Sequence, residues 1–128
     1  MEEAFRALLA GSAGLTNIVG QRIQWAVRET APSVALHLID APPDWTLSGP
    51  SGLVMARVQA DCWGLTFLAS KAVGDAFKAA LPAPRQVVSG VRFQGAVVLD
   101  LERERLGDAP NILFRTRIDV RLTFTPAI

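Results

Sequence analysis

The feature that most constrains the fold of this chain is a two-residue alternation in VMARVQADCW, residues 54–63. Small apolar residues occupy every even position from Val54 to Cys62, and the odd positions between them are larger or polar. Successive side chains of a β-strand point to opposite faces of the sheet. The segment therefore predicts a strand with one buried face of small residues and one partly polar face.

The sequence behind this strand changes from a period of two to a helical period over residues 65–82. Thr66 is a predicted N-cap, and Pro82 ends the helix. Residues 2–11 predict a short helix, and residues 15–20 add one more helical turn. The apolar stripe predicted for the long helix consists of Leu68, Ala69, Ala72, Val73, Ala76, Phe77 and Ala80.

Two further strands are predicted before the alternating segment, over residues 22–27 and 33–40. Residues 46–52, TLSGPSG, predict a turn that connects extended segments. Gly49 and Gly52 suit such a turn because glycine accepts positive φ, and Pro50 fixes its bend.

The last third of the chain predicts a long antiparallel hairpin, with strands over 95–105 and 112–124 and a turn at 106–111. A register that slips by one residue would turn the carboxylates toward the apolar face, so charge and hydrophobicity select the same pairing. The predicted pairs are Arg105 with Ile112, Glu102 with Arg115, and Asp100 with Arg117, with Leu101, Leu99 and Val97 on the apolar face.

These elements predict an α+β fold: an antiparallel or mixed β-sheet with a long C-terminal hairpin and two helices packed on one face. A length of 128 residues fits a single domain over residues 1–128. The predicted core contains Val54, Val58, Cys62, Phe77, Ile118, Val120 and Phe124.

The composition argues against several classes of function. The net charge of +1 is low for a protein that neutralises nucleic-acid phosphates. One histidine, one cysteine and no tyrosine are a poor supply for acid–base catalysis or metal binding. We therefore predict no catalytic, cofactor-binding or metal-binding residue. His37 is interpreted as a structural or surface histidine and Cys62 as a core thiol.

Other segments give weaker indications of location and chemistry. No apolar run is long enough to span a bilayer, so no membrane partner is expected. The first residues are acidic where a signal peptide is basic, which favours a cytoplasmic site of synthesis and assembly. GPSG at 49–52 lacks the Lys and Ser/Thr of a phosphate-binding loop, so a turn is the better interpretation.

Two sets of side chains leave alternatives open. Arg115, Arg117 and Arg121 share one strand face, which is either solvated and salt-bridged or directed toward a channel for nucleic acid. Trp45 and Trp63 either cover an edge of the core or belong to a subunit interface, where Trp is enriched.

Residues 44–81 resemble the tail completion family of long-tailed phages, also called tail terminators or tail-to-head joining proteins. Two other segments match this family, Ile18–Ile23 and the strand with Arg115, Asp119, Val120 and Arg121. There are departures: Ser33 follows Pro32, and Phe67 follows Thr66, where the family often has Tyr. The matching residues of the central segment are Thr46, Leu47, Gly49, Pro50, Gly52, Arg57, Val58, Gln59, Asp61, Thr66, Ala69, Ala72, Ala76 and Leu81.

The resemblance implies a structural virion protein without catalytic activity or cofactor, placed at the head-proximal end of a tail. Such a protein forms a homo-hexameric ring that caps the tube built from the major tail tube protein and stops its growth. The ring presents a surface to a head–tail connector protein, and DNA passes through it without specific binding. Usage rich in Ala and Arg makes a gene transfer agent as consistent a source as a phage. The alternatives are another connector ring protein, such as a stopper, and a small α+β enzyme or ligand-binding protein.

Protruding, irregular backbone commonly carries recognition, which directs the expected contacts to the turn 46–52 and the hairpin tip 106–111. Arg115, Arg117 or Arg121 is expected to face the lumen of the ring. The residues predicted to contact neighbouring subunits or partners are Trp45, Thr46, Leu47, Gly49, Pro50, Gly52, Trp63, Asp108 and Asn111.

Overall fold

The computed structural model describes residues 1–41, 43–46, 49–108 and 111–126, with backbone alone described for 43–46, 49–52 and 126. The strands form one sheet in the order β1-β2-β4-β7-β6-β5, and β3 pairs with the beginning of β4. Only β1 and β2 are parallel among these pairs. The predicted α+β fold is confirmed. Its elements are α1 (Glu2–Ala10), α2 (Ala13–Val19), β1 (Ile23–Trp25), β2 (Ser33–Asp40), β3 (Pro43–Thr46), β4 (Gly49–Gly64), α3 (Phe67–Ala79), β5 (Gln86–Val88), β6 (Val91–Leu106) and β7 (Leu113–Pro126).

The core lies between the helices and one face of the sheet. Phe5 of α1 packs against Phe77 of α3 and Phe93 of β6, with ring centroids 6.3 Å apart in both pairs. Five of the seven residues predicted as core are buried, whereas Val54 and Phe124 are half-buried. Three helices, rather than two, contribute to this core, because residues 13–19 form a separate helix that buries Leu15 and Val19.

Helix α3 lies close to the sheet because two of its buried residues, Ser70 and Gly74, are small. Thr66 caps the helix as predicted, its hydroxyl accepting a hydrogen bond from the Ala69 backbone N–H at 3.0 Å. The buried residues are Ser70, Val73, Gly74 and Phe77. The predicted stripe is therefore wrong in part: Leu68, which is 72% exposed, and Ala72 lie on the solvent side, because the helix turns Ser70 and Gly74 toward the sheet.

The predicted turn at 46–52 is wrong in its extent. Strand β4 starts at Gly49, and Thr46 and Trp45 of β3 pair with Gly49 and Pro50. Strands β2 and β3 thus form one long hairpin with β4. Strand β4 pairs with β7 only from Val54 onward. The first residues of β4, which pair with β3, therefore extend past the β4–β7 ladder.

The C-terminal hairpin is confirmed, but its register differs by two residues from the predicted one. Leu106 pairs with Leu113 and Arg105 with Phe114, so the turn is shifted by one residue and begins at Gly107 with φ +81°. A displacement by two residues keeps the side chains from Asp100 to Leu106 on their predicted faces. The charged partners change: Glu102 lies opposite Arg117 and Glu104 opposite Arg115, so the predicted Glu102–Arg115 and Asp100–Arg117 pairs are wrong.

A β-bulge interrupts this hairpin between Val98 and Asp100. It places Val98, not Leu99, on the apolar face opposite Val120, and it turns Val97 toward Arg121 on the other face. The predicted positions of Leu99 and Val97 are therefore wrong, because one inserted residue reverses the alternation that precedes it.

Candidate interaction surfaces

The face of the sheet opposite the helices is covered by charged side chains, and we call it the charged face. Alternation places the odd-numbered residues of β4 and β7 there. Their rows continue onto β6, where Glu102 and Glu104 stand beside the arginines. The residues that define the charged face are Arg57, Gln59, Asp61, Trp63, Glu102, Glu104, Arg115, Arg117, Asp119 and Arg121.

Asp61 is the centre of the network on this face, and its side chain is only 6% exposed. Its carboxylate accepts a hydrogen bond from Gln59 Nε2 at 2.9 Å and lies 3.4 Å from His37 Nε2. Arg115 Nη1 lies 3.8 Å from the same carboxylate, and Arg115 Nη2 contacts the carboxylate of Glu104. A buried carboxylate needs such partners, and they fix the position of Asp61 in the sheet.

The three arginines predicted to face a lumen share the charged face but differ in their partners. Arg115 is paired with Glu104 and Asp61, and Arg117 with Glu102. Arg121 is exposed and forms no ion pair with any residue in the described part of the chain. Paired arginines bind phosphate weakly because the carboxylate competes for the same donors, which leaves Arg121 as the most available cation of the row.

Trp63 lies on the charged face as predicted but is only 7% exposed. The Arg28 guanidinium lies 4.9 Å from the centroid of its ring, and that of Arg115 lies 5.5 Å away. Both guanidinium groups are therefore within the distance of a cation–π interaction with the indole. Of the two interpretations of this residue, the one in which it covers an edge of the protein accounts better for its burial.

The tip of the C-terminal hairpin brings together two other residues predicted to make contacts. Asp108 and Asn111 are both exposed, and the Asn111 backbone N–H donates to the Asp108 carbonyl at 2.7 Å. Asn111 also borders a cleft of about 370 Å³, whose other lining residues are Arg28, Leu65, Ile112 and Leu113.

The remaining predicted contact residues lie at the end of the β3–β4 hairpin. Trp45 and Thr46 belong to β3, and Gly49, Pro50 and Gly52 to β4. Their side-chain positions, and Leu47 altogether, lie outside the described residues.

The reactive residue types of the described ranges are buried or paired rather than free at the surface. Cys62 is fully buried, and its burial together with the negative charge of Asp61 raises the pKa of the thiol far above its ordinary value. No three His, Cys, Asp or Glu side chains of the described ranges are placed to share a metal ion. Within those ranges no helix is both long and apolar enough to cross a membrane. The cleft between α1 and α3, about 400 Å³ in volume, is lined by small and apolar residues with Ser12 and Gln86 as its polar side chains.

Sequence reasoning missed two sets of exposed apolar residues. Leu65, Phe67 and Leu68 form a patch at the start of α3, next to the cleft at the hairpin tip. Apolar residues are also exposed along the outer strands of the sheet, in β2 and β6. The consecutive residues Val97, Val98 and Leu99 were the available signal, because three apolar residues in a row must place at least one on each face of a strand.

The chain was compared with known proteins. No protein-family model matches it, and no curated protein does. Among solved structures it is similar to a chain of one described as "Virion of native gene transfer agent (GTA) particle", with a TM-score of 0.79 and 21% sequence identity. The likeness covers 98% of this chain and 94% of the other, and it shows that the two chains share a fold.

Proposed function

We propose that this protein is a structural component of a phage-like particle, and more specifically the ring that terminates the tail and joins it to the head. The observation that carries the proposal is the fold shared along nearly the whole chain with a component of a gene transfer agent virion. The finer assignment rests on the resemblance to tail completion proteins.

The structure supports that resemblance, because residues from the separate sequence segments that match the family contact each other. Arg57 of the central motif lies 3.8 Å from Asp119 of the C-terminal motif, and Asp61 lies 3.8 Å from Arg115. Segments far apart in the sequence therefore match the same family at positions that contact each other. A chance match of isolated short patterns would not be expected to do so.

The surfaces also suit an assembly protein better than an enzyme. The nucleophile Cys62 is buried, Asp61 is held by Gln59 and Arg115, and the cleft between α1 and α3 has no charged lining residue. Ligand sites usually combine an apolar pocket with several convergent polar groups. The exposed apolar residues at the start of α3 offer an end surface for an axial partner, such as a tube or a connector protein.

Deletion of the gene, with complementation by the wild-type copy, tests this function. In the absence of the protein we expect intact heads together with tails that are abnormally long, since no ring ends tube growth. Tails of normal length that fail to join heads would instead support a connector-level ring such as a stopper. Particles with joined tails of normal length would overturn both assignments.

A further inference from the structure

Strands β6 and β2 have backbone open for pairing, because the outermost strands β5 and β1 cover only part of them. Strand β5 pairs with β6 only from Val91 to Phe93, so within the described residues the outer edge of β6 is open from Gly95 to Leu106. At the opposite side of the sheet, β1 pairs with β2 only as far as Leu36. The β6 edge alone spans about 40 Å at the rise of an extended strand.

Both open edges expose apolar side chains at the same level of the sheet. Leu38, Val58, Val120 and Val98 form one transverse row, which ends at the two edges. The apolar residues at these ends are 39–51% exposed: Leu38 and Ile39 on β2, and Val97, Val98 and Leu99 on β6.

Proteins usually protect an open edge by placing charges, prolines or bulges on it. Each edge does contain a bulge, between Leu38 and Asp40 and between Val98 and Asp100. The residues inserted there, Ile39 and Leu99, are exposed and apolar rather than charged. An edge that carries apolar residues where protection is expected is a candidate for pairing with another chain.

We infer that the β6 edge of one copy pairs with the β2 edge of a second copy, so that the sheet continues from subunit to subunit. This names the lateral contact of the ring proposed above and rests on that proposal. The two edges are different surfaces of one chain, and contacts of this head-to-tail kind form rings when the rotation between subunits closes.

The direction of the strands agrees with this pairing. Three successive antiparallel steps lead from β2 through β4 and β7 to β6, so β2 and β6 run in opposite directions. If the ring axis runs along the strands, the rotation that relates neighbouring subunits leaves the direction of every strand unchanged. Strand β6 of one subunit would then meet β2 of its neighbour as an antiparallel partner. Antiparallel ladders are the slightly more stable kind.

Engineered disulfides test the contact directly, because the natural Cys62 is buried and does not interfere. We choose Leu38→Cys and Val98→Cys, which lie at the two ends of the same row. In the double variant, oxidation should produce a ladder of covalent oligomers, whereas each single variant should remain monomeric on a denaturing gel. Dimers formed by Val98→Cys alone would show a symmetric β6–β6 contact and overturn the inference.

Charge introduced at either edge provides the second measurement. Ile39→Lys and Leu99→Lys should each raise the subunit concentration needed for half-assembly by about tenfold or more, measured by native mass spectrometry. Leu68→Lys is the control, because it makes the same kind of change at an exposed apolar residue on α3, away from both edges, and it should leave lateral assembly unchanged.

The outcomes separate this contact from the proposed function. Rings that form normally in both edge variants, with no cross-linking in the double variant, would overturn the edge contact and leave the ring itself intact. If the wild-type chain formed no ring in solution or on particles, the proposed ring function would fail.

Discussion

Replacement of Gly64 by alanine should strongly destabilise this protein, although it adds a single methyl group. Gly64 ends β4 at the place where α3 crosses the sheet. A Cβ atom there would lie 2.3 Å from the Ser70 backbone nitrogen and 2.8 Å from the carbonyl carbon of Ala69. These atoms belong to the first turn of the helix and cannot rotate away, so α3 would have to move by about 1 Å to restore ordinary contact.

The cost can be estimated from what this movement disturbs. Overpacking of a dense interior typically costs about 1–3 kcal/mol. The Ser70 hydroxyl is also hydrogen-bonded to the Cys62 carbonyl at 3.0 Å and to the Thr116 hydroxyl at 2.9 Å, both in the interior. Weakening these bonds without breaking them adds roughly 0.5 kcal/mol each. We expect a loss of about 3 kcal/mol in the free energy of unfolding, a large share of the usual stability of a domain.

Urea unfolding followed by tryptophan fluorescence, at a fixed subunit concentration, measures this loss. With a urea dependence of about 1–3 kcal/mol per molar, the midpoint should fall by roughly 1–3 M. Gly14→Ala is the matched control, because no atom lies within 4 Å of the added Cβ and alanine favours a helix. It should raise stability slightly. A Gly64→Ala midpoint equal to that of the wild type would refute the reasoning that α3 contacts β4 this closely.

Two further predictions concern buried groups on β4. The raised pKa of Cys62 should protect its thiol from a thiol-reactive dye at pH 8 until the chain unfolds. The unfolded thiol ionises above about pH 8.5 while the folded one stays protonated, so the free energy of unfolding should decline above that pH. This contribution to the pH dependence should be absent in Cys62→Ala. Labelling of the native protein at the rate of a free thiol would contradict the prediction of protection. Asp61→Ala should lower the free energy of unfolding by about 2–3 kcal/mol, because Gln59 and Arg115 lose a buried partner, and Asp61→Asn should cost less by keeping an acceptor. Calorimetry that finds equal stability for Asp61→Ala and the wild type would show that the network contributes nothing.

The position of the candidate site could be predicted from the sequence only in part. Alternation assigned Arg115, Arg117 and Arg121 correctly to one face of their strand, and Asp61 and Trp63 to one face of theirs. Only the pairing of β4 with β7 shows that these are the same face of the sheet. It could not give their partners, because the ion pairs depend on the hairpin register. That register is set by a turn whose first residue, Gly107, has a left-handed backbone, and no pattern in the strands contains this information.

The open edges could not be found from the sequence at all. Which strand lies at an edge depends on how far its neighbours extend, and β1 and β5 are only three residues long. The run Val97, Val98 and Leu99 indicates that an apolar residue lies on each face of β6, but not that this strand has an open edge. Only their position at the outside of the sheet makes them candidates for contact with another subunit.

The sequence by itself determined the α+β class, the helix cap at Thr66 and the face that each central strand buries, because these depend on local spacing. The parity of a position is unchanged by a register shift of two, so the faces between the bulge of β6 and the hairpin tip were correct although the pairing was not. The sequence pattern placed Val73 and Phe77 of α3 correctly in the core, but the tertiary structure decided which residues lie beside them. The sheet approaches so closely at Ser70 and Gly74 that these small residues face it, and Leu68 is left exposed.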